Sequence, residues 1–230
     1  MKSIWCMTVV GLLWSVSVQA EISSGERDRV QKAAEIVTAL RDAPDKGIPE
    51  ELWDKANCVV VLPGVKKAAF GIGGEFGKGV MSCRTASGWG APVFMEMAKG
   101  SFGFQIGAQE ADLVLLVMNR QGIDKMLKDK VTLGADASVS AGPVGRTGAA
   151  ATDVRLNAEI LSYSRSRGLF AGIDVSGGVL RPDKDANADT YGASVAPYDV
   201  VVGGHITTPV PARAFVNALG ANVRATTGQK

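Results

Sequence analysis

The sequence predicts an α+β fold. It is a mainly antiparallel, glycine-bent β-sheet, barrel-like in curvature, with a packed N-terminal helix and a short C-terminal helix. Three observations point there. Strand-like segments outnumber helical ones and most connections are short, whereas parallel pairs need crossovers of a dozen or more residues. Five glycines, at 71, 73, 74, 77 and 79, crowd one strand-like stretch. Glycine at that density inside a strand signals bulges, bending or close backbone approach. Finally, Val30, Ala33, Ala34, Val37 and Leu40 recur at helical spacing near the start of the chain, with Ile36 at the margin of the same face.

The 230 residues are 46% hydrophobic and 21% charged, which suits one domain over 21–230 with its core at about 28–220. The formal net charge of +2 argues against a nucleic-acid partner held by bulk charge. Residues 1–20 read as a signal peptide. Lys2 precedes a mostly apolar run, Ile4 to Val18, and Val18-Gln19-Ala20 is a small-residue cleavage site before Glu21. The expected location is therefore exported, periplasmic or envelope-associated. Cleavage removes Cys6 and leaves Cys58 and Cys83. In an oxidising compartment these two are expected to pair; the alternative is two buried free thiols. A bridge would require Cys58 to open one strand and Cys83 to close a later, antiparallel one.

Taken in order, Ser23 and Glu26 form a capping-box pattern before a helix to about Asp42. Pro44 to Gly47 breaks it. Pro49 starts a short helix over 50–56, with Leu52 and Trp53 available for burial. Cys58 to Leu62 is a buried strand that Pro63-Gly64 should end. Glycine-bent strands follow to Thr85, and Ser87-Gly88 turns the chain. Ala91 to Met97, Phe102 to Ala108 and Leu113 to Met118 read as three further strands. The last is apolar throughout, so both its faces should be covered. Ile123 to Lys128 makes one or two helical turns with Met126 and Leu127 inward. Val131 to Val144 alternates as a strand, and Thr147 to Ala151 is a linker. Val154 to Ser164 and Leu169 to Leu180 form a strand pair. Asp183 to Asp189 is a polar loop and Val200 to Ile206 a late strand. Pro211 to Leu219 is the closing helix, and the last five residues should fray.

Chemistry is sparse. Phe76 stands where a dinucleotide fingerprint from Gly71 needs glycine, and Ile72 and Gly79 break a phosphate loop ending at Lys78. His205 is the single histidine, and no nucleophile elbow occurs. No enzyme, cofactor or metal is expected. Asp183, Asp185, Asn187 and Asp189 alternate like the start of a calcium loop. However, Ala188 replaces its glycine and Ser194 its bidentate glutamate. The positive candidates are basic groups beside apolar surface: Arg27, Arg29 and Lys32 on the first helix, and Lys66, Lys67, Lys78 and Arg84 around the glycine-rich strands. Such groups suit anionic head groups at a bilayer interface. Ordinary solvated charge is the competing reading.

Four motifs carry a resemblance. CVVVLPGVKKAAFGIGGEFGKGVMSCR (58–84), GSFGFQIGAQEADLVLLVMN (100–119), LGADASVSAGPVGR (133–146) and SRSRGLFAGIDVSGGVL (164–180) occur in order. Together they make the chain resemble the SYLF-domain family of lipid-binding proteins. The resemblance implies lipid contact through an amphipathic first helix and basic residues. It also implies phosphoinositide binding in eukaryotic members and actin binding in some fungal ones. Here Glu21 to Ala43 holds Arg27, Arg29, Lys32 and Arg41 against Glu21, Glu26, Asp28, Glu35 and Asp42. That excess of acid weakens attraction to anionic membranes. An exported chain would meet neither phosphoinositide nor actin in its envelope. The expected function is a non-catalytic, lipid-binding or membrane-associated module of the cell envelope, with a phospholipid or membrane surface as partner. The alternative is an envelope structural domain that binds another protein and no lipid.

Overall fold

The computed structural model describes residues 22–43, 47–145, 158–166 and 168–221. The expected signal peptide, the linker at 147–151, the start of the strand at 154 and the last five residues lie outside these.

Helix α1 (Ser24–Arg41) begins where expected. Ser23 caps it by accepting from the Glu26 amide at 3.4 Å. The Glu26 carboxylate reaches Arg29 at 3.4 Å. Val30, Ala33, Ala34, Ile36, Val37 and Leu40 are all buried, so this stripe packs on the protein. Helix α2 (Glu50–Lys55) follows Pro49 and buries Leu52 and Trp53.

The sheet is built on two very long strands, β1 (Cys58–Thr85) and β3 (Val93–Val117), with the two-residue β2 (Gly88–Trp89) between them. They pair antiparallel from Cys58 opposite Val117 to Met81 opposite Val93. The sequence reading cut each into pieces, and the structure corrects it. Pro63-Gly64 does not end the first strand. It makes a bulge, where the register shifts between Leu62 and Val65, Gly64 adopts φ 58°, and its amide donates to Asp112 at 2.9 Å. A second shift lies between Ala69 and Gly71. These breaks bend the ribbon without cutting it.

The bend brings the two ends of β1 together into a strongly curled half-barrel. Cys58 and Cys83 are joined by a disulfide, with Cα atoms 3.9 Å apart. The bridge was expected between two antiparallel strands; instead both cysteines belong to one strand that turns back on itself. Glycine at 77 and 79 permits the crossing. A Cβ on Gly79 would stand 1.9 Å from the Val61 carbonyl oxygen, and one on Gly77 2.6 Å from a Val65 methyl.

Helix α3 (Arg120–Lys128) is capped by Asn119, which accepts from the Gly122 amide at 2.9 Å. Strands β4 (Val131–Thr132) and β5 (Val139–Ala141) replace the single strand expected over 131–144. A turn around Gly134, at φ 86°, separates them. Strands β6 (Ile160–Ser166) and β7 (Leu169–Gly172) pair antiparallel as expected. Strand β8 (Val179–Pro182) breaks away to pair with β3 and β4. Only β5 with β6 runs parallel among the described strands.

Two segments change class. Asp183 to Asp189 is not a loop: α4 (Lys184–Tyr191) starts there, with Asp183 as its cap. Val200 to Ile206 is not a strand: Pro197 opens α5 (Pro197–Val201), and a loop through Gly203-Gly204 follows. A 3-10 turn (Val210–Ala212) leads into the closing helix α6 (Arg213–Gly220).

Alternate residues of the long strands feed two cores. Cys58, Val60, Leu62, Leu113, Leu115 and Val117 face one that also takes Met126 and Leu127 of α3. Val59, Val61, Val114 and Leu116 face the other, with α1, Trp53 and Phe215. The continuous apolar runs therefore have both faces covered, as their composition implied.

Candidate functional site

The seven cations singled out in the sequence fall into separate settings. Arg29 and Lys78 converge on the Asp183 carboxylate, at 3.0 and 2.9 Å. Lys78 also lies 3.9 Å from Glu96, and Arg29 stacks 5.5 Å from the centre of the Phe94 ring. Burial pushes the Asp183 carboxyl upward. The hydrogen bond from Lys78, the Ala186 amide and the Arg29 guanidinium outweigh it, so the group titrates below the usual carboxylate range. Asp183 thus locks α1, β1 and α4 together. The acidic repeat read as a failed calcium loop is this helix cap. Among the described residues, no three His, Cys, Asp or Glu side chains gather as metal ligands do.

Lys67 pairs with Glu75 at 3.0 Å across the bend of β1. Arg27 donates through Nε to the Ile22 carbonyl at 2.9 Å. Lys32 and Lys66 are exposed and border one hollow of about 510 Å³, which also holds Glu35, Glu110, Asp112 and Arg165. Three bases and three acids share that hollow, so its charge is mixed.

Between Lys99 and Ala111, β3 has no strand partner but β1 among the described residues, because β8 leaves it at Ala98 and β6 at Asp112. A two-stranded ribbon results. Its register sets Ile72 opposite Phe102, Glu75 opposite Lys99 and Phe76 opposite Ala98. Phe76 is 50% exposed, unusual for so large an apolar side chain. The ribbon's sequence is rich in Phe and Ile, at 70, 72, 76, 102, 104 and 106, and Lys66, Lys67, Lys78 and Lys99 border this stretch.

Arg84 belongs to a different hollow. Its Nε donates to Ala56 and one Nη to Trp53, both backbone carbonyls at the end of α2, at 3.1 Å each. Its guanidinium also lies 4.6 Å from the centre of the Trp89 ring. It borders a cleft of about 640 Å³ whose wall includes Arg120, Ile123, Tyr198, Val201 and His205. The sequence reading passed over Arg120 and Tyr198 and set His205 aside. Nothing in their local pattern marks them, because α3, the β1 end and the loop after α5 meet only in the fold.

Residues 98–222 match the Ysc84 family, described as Las17-binding protein actin regulator. The human SH3 domain-containing YSC84-like protein 1 is 33% identical over 200 residues, covering 84% of this chain and 57% of that protein. Its rat counterpart is 34% identical over 84% of this chain and 58% of its own length. The LAS seventeen-binding protein 3 of Saccharomyces cerevisiae is 31% identical over 80% of this chain and 41% of its own. The chain thus spans little more than half of the animal relatives and less than half of the yeast one. The family description and the yeast name are those of binding and regulatory proteins. With more than half of its residues inside the matched family, and relatives 31–34% identical over 80–84% of its length, the chain belongs to the Ysc84 family of SYLF-domain proteins.

Proposed function

We propose that this chain is a non-catalytic module of the cell envelope that docks on phospholipid membranes through the projecting β1–β3 ribbon. The observation that carries this reading is Phe76, half exposed on a two-stranded ribbon rich in Phe and Ile and bordered by lysines. Apolar side chains beside Lys match the boundary between acyl chains and head groups. The amphipathic first helix is not the contact, since its apolar stripe is buried. Of the basic candidates, Lys66 flanks the ribbon on β1, is exposed and makes no ion pair among the described residues, so it is best placed to meet head groups. With a formal charge of only +2, attachment should rest on apolar insertion more than on charge, and should survive moderate salt.

Co-sedimentation of the mature protein with phosphatidylcholine vesicles, and with vesicles containing phosphatidylglycerol, tests this. Wild type should pellet with vesicles, and Phe76→Asp should lose about tenfold or more in partitioning with an unchanged melting temperature. Failure of wild type to bind either vesicle sinks the reading. Export belongs to the same proposal: an intact mass of the secreted protein starting at Glu21 supports it, and retention of Met1 removes it.

A second reading follows from the family description and the yeast relative's name, which specify a protein partner. On it, the open edges of the same ribbon would accept a strand of another protein. Cross-linking through the ribbon in cells separates the two, because a dominant protein adduct with no vesicle binding favours the second.

A further inference from the structure

We propose that the cleft between α3, the end of β1 and the loop after α5 is a binding site for a small organic anion, an oxyanion head on an apolar or aromatic body. None of its residues lies on the ribbon, so the inference is independent of the membrane reading.

The cleft has the size of a ligand pocket, about 640 Å³, within the range that small molecules occupy. Two arginines and the only histidine of the chain border it, against a single carboxylate, Asp124. The two arginines differ in a useful way. Arg84 is held in place by the Ala56 and Trp53 carbonyls and the Trp89 ring, which leaves its second Nη uncommitted. A cation held in advance loses little freedom when it meets an anion. Arg120, the first residue of α3, is exposed and, among the described residues, makes no ion pair or hydrogen bond through its side chain. The guanidinium fork matches carboxylate and phosphate oxygens alike.

The loop adds donors. Gly204 takes φ 66°, and neither its amide nor that of His205 donates to a backbone carbonyl. Adjacent free amides at a left-handed residue are a common anion contact. The wall also carries an apolar side, Ile123, Val201, Val202 and the ring of Tyr198, beside the polar Asn57, Thr85 and Ser87. Tyr198 is 43% exposed, although an aromatic side chain of its size is usually covered. A bare inorganic ion would leave this apolar side unused, which is why the ligand is assigned an apolar body.

Calorimetric titration of the mature protein with phenyl phosphate, benzoate and inorganic phosphate tests the site. Phenyl phosphate or benzoate should bind, and whichever is tighter tells a phosphate head from a carboxylate head. Inorganic phosphate should bind about tenfold or more weaker, lacking the apolar contact. Arg120→Ala should weaken the organic anion about tenfold or more, the loss expected for one charge-assisted contact, with an unchanged melting temperature. Tyr198→Ala should weaken phenyl phosphate and leave inorganic phosphate as it was. Lys32→Ala, an equal change of charge outside the cleft, and Phe76→Asp on the ribbon should bind as wild type. The proposal fails if neither organic anion binds at millimolar concentration. It fails equally if Arg120→Ala binds as wild type, or if Lys32→Ala weakens binding as much as Arg120→Ala does.

Discussion

Asp183 joins three elements, α1, β1 and α4. It accepts from Arg29 and Lys78, and it caps α4 through the Ala186 amide at 3.4 Å. Its side chain is 5% exposed, while Lys78 is 40% exposed and partly screened. Replacement by Asn keeps a cap but removes the charge facing two cations. The expected cost is about 2–3 kcal/mol, below that of breaking a fully buried pair. The sign with pH follows from the lowered carboxyl. Its contribution is fully present above the unfolded carboxylate value, near 4, and is lost as pH falls toward the lower folded value. Thermal unfolding between about pH 5 and pH 2 should therefore show a steeper loss for wild type than for Asp183→Asn. Parallel curves would show that this carboxylate does not carry the linkage. Its role was within reach of the sequence. Asp183 followed by Asp185 in the first turn, before a run without Gly or Pro to Tyr191, is a helix-start pattern. The alternating acids drew attention to a metal loop instead. Its partners Arg29 and Lys78 lie far away in the chain, and no local pattern names them.

At the scale of elements, the β1–β3 ribbon and α1 each yield a test. Gly79→Ala would drive a methyl into the Val61 carbonyl, so the ends of β1 must separate. The cost should be at least about 3 kcal/mol, since backbone cannot step aside as a side-chain end can. Gly100→Ala meets nothing within 4 Å and should be neutral to slightly stabilising, within about 1 kcal/mol. Denaturant melts of the two variants beside wild type check both. Equal destabilisation would mean that the close crossing does not matter. In α1, Leu40 is 1% exposed. Leu40→Asp would bury an unpaired charge and cost about 3–5 kcal/mol, read as a fall of roughly 10 °C in melting temperature. An unchanged melting temperature would place that face outside the core. Elements with one strong pattern were legible: the stripe of α1, the apolar runs of β1 and β3, and the paired β6 and β7. The rest was hidden by rules that hold for most strands but not these. Pro-Gly usually ends a strand, yet here a neighbouring carboxylate, Asp112, takes the freed amide and the ladder continues. Val200 to Val202 has strand composition, but Pro197 starts a helix and packing of Val200 and Val201 into the core overrides propensity.

For the whole molecule, the sequence conveyed the class but not the path of the chain. A glycine-bent sheet with a packed helix follows from composition and periodicity. That one strand would close on itself does not, because the glycines say that backbone approaches something without saying what. The two-core arrangement follows from the curl: residues alternating along β1 meet α3 on one side and α1 on the other. The candidate surfaces were visible to the same degree. Each cation could be named in the sequence, but which of them are neutralised, stacked or left to solvent depends on contacts between distant segments. The bridge between Cys58 and Cys83 has a mechanical consequence. Tension applied to the two ends of the chain would cross from sulfur to sulfur and bypass the length of β1 between them, which would remain a slack covalent loop while β3 and the rest of the molecule unravelled. With the cysteines 25 positions apart, about 85 Å of contour length stays hidden from the pulling device. In an optical trap, the reduced protein should extend further than the oxidised one by about that length. Equal extensions would mean that the bond is absent from the protein in solution.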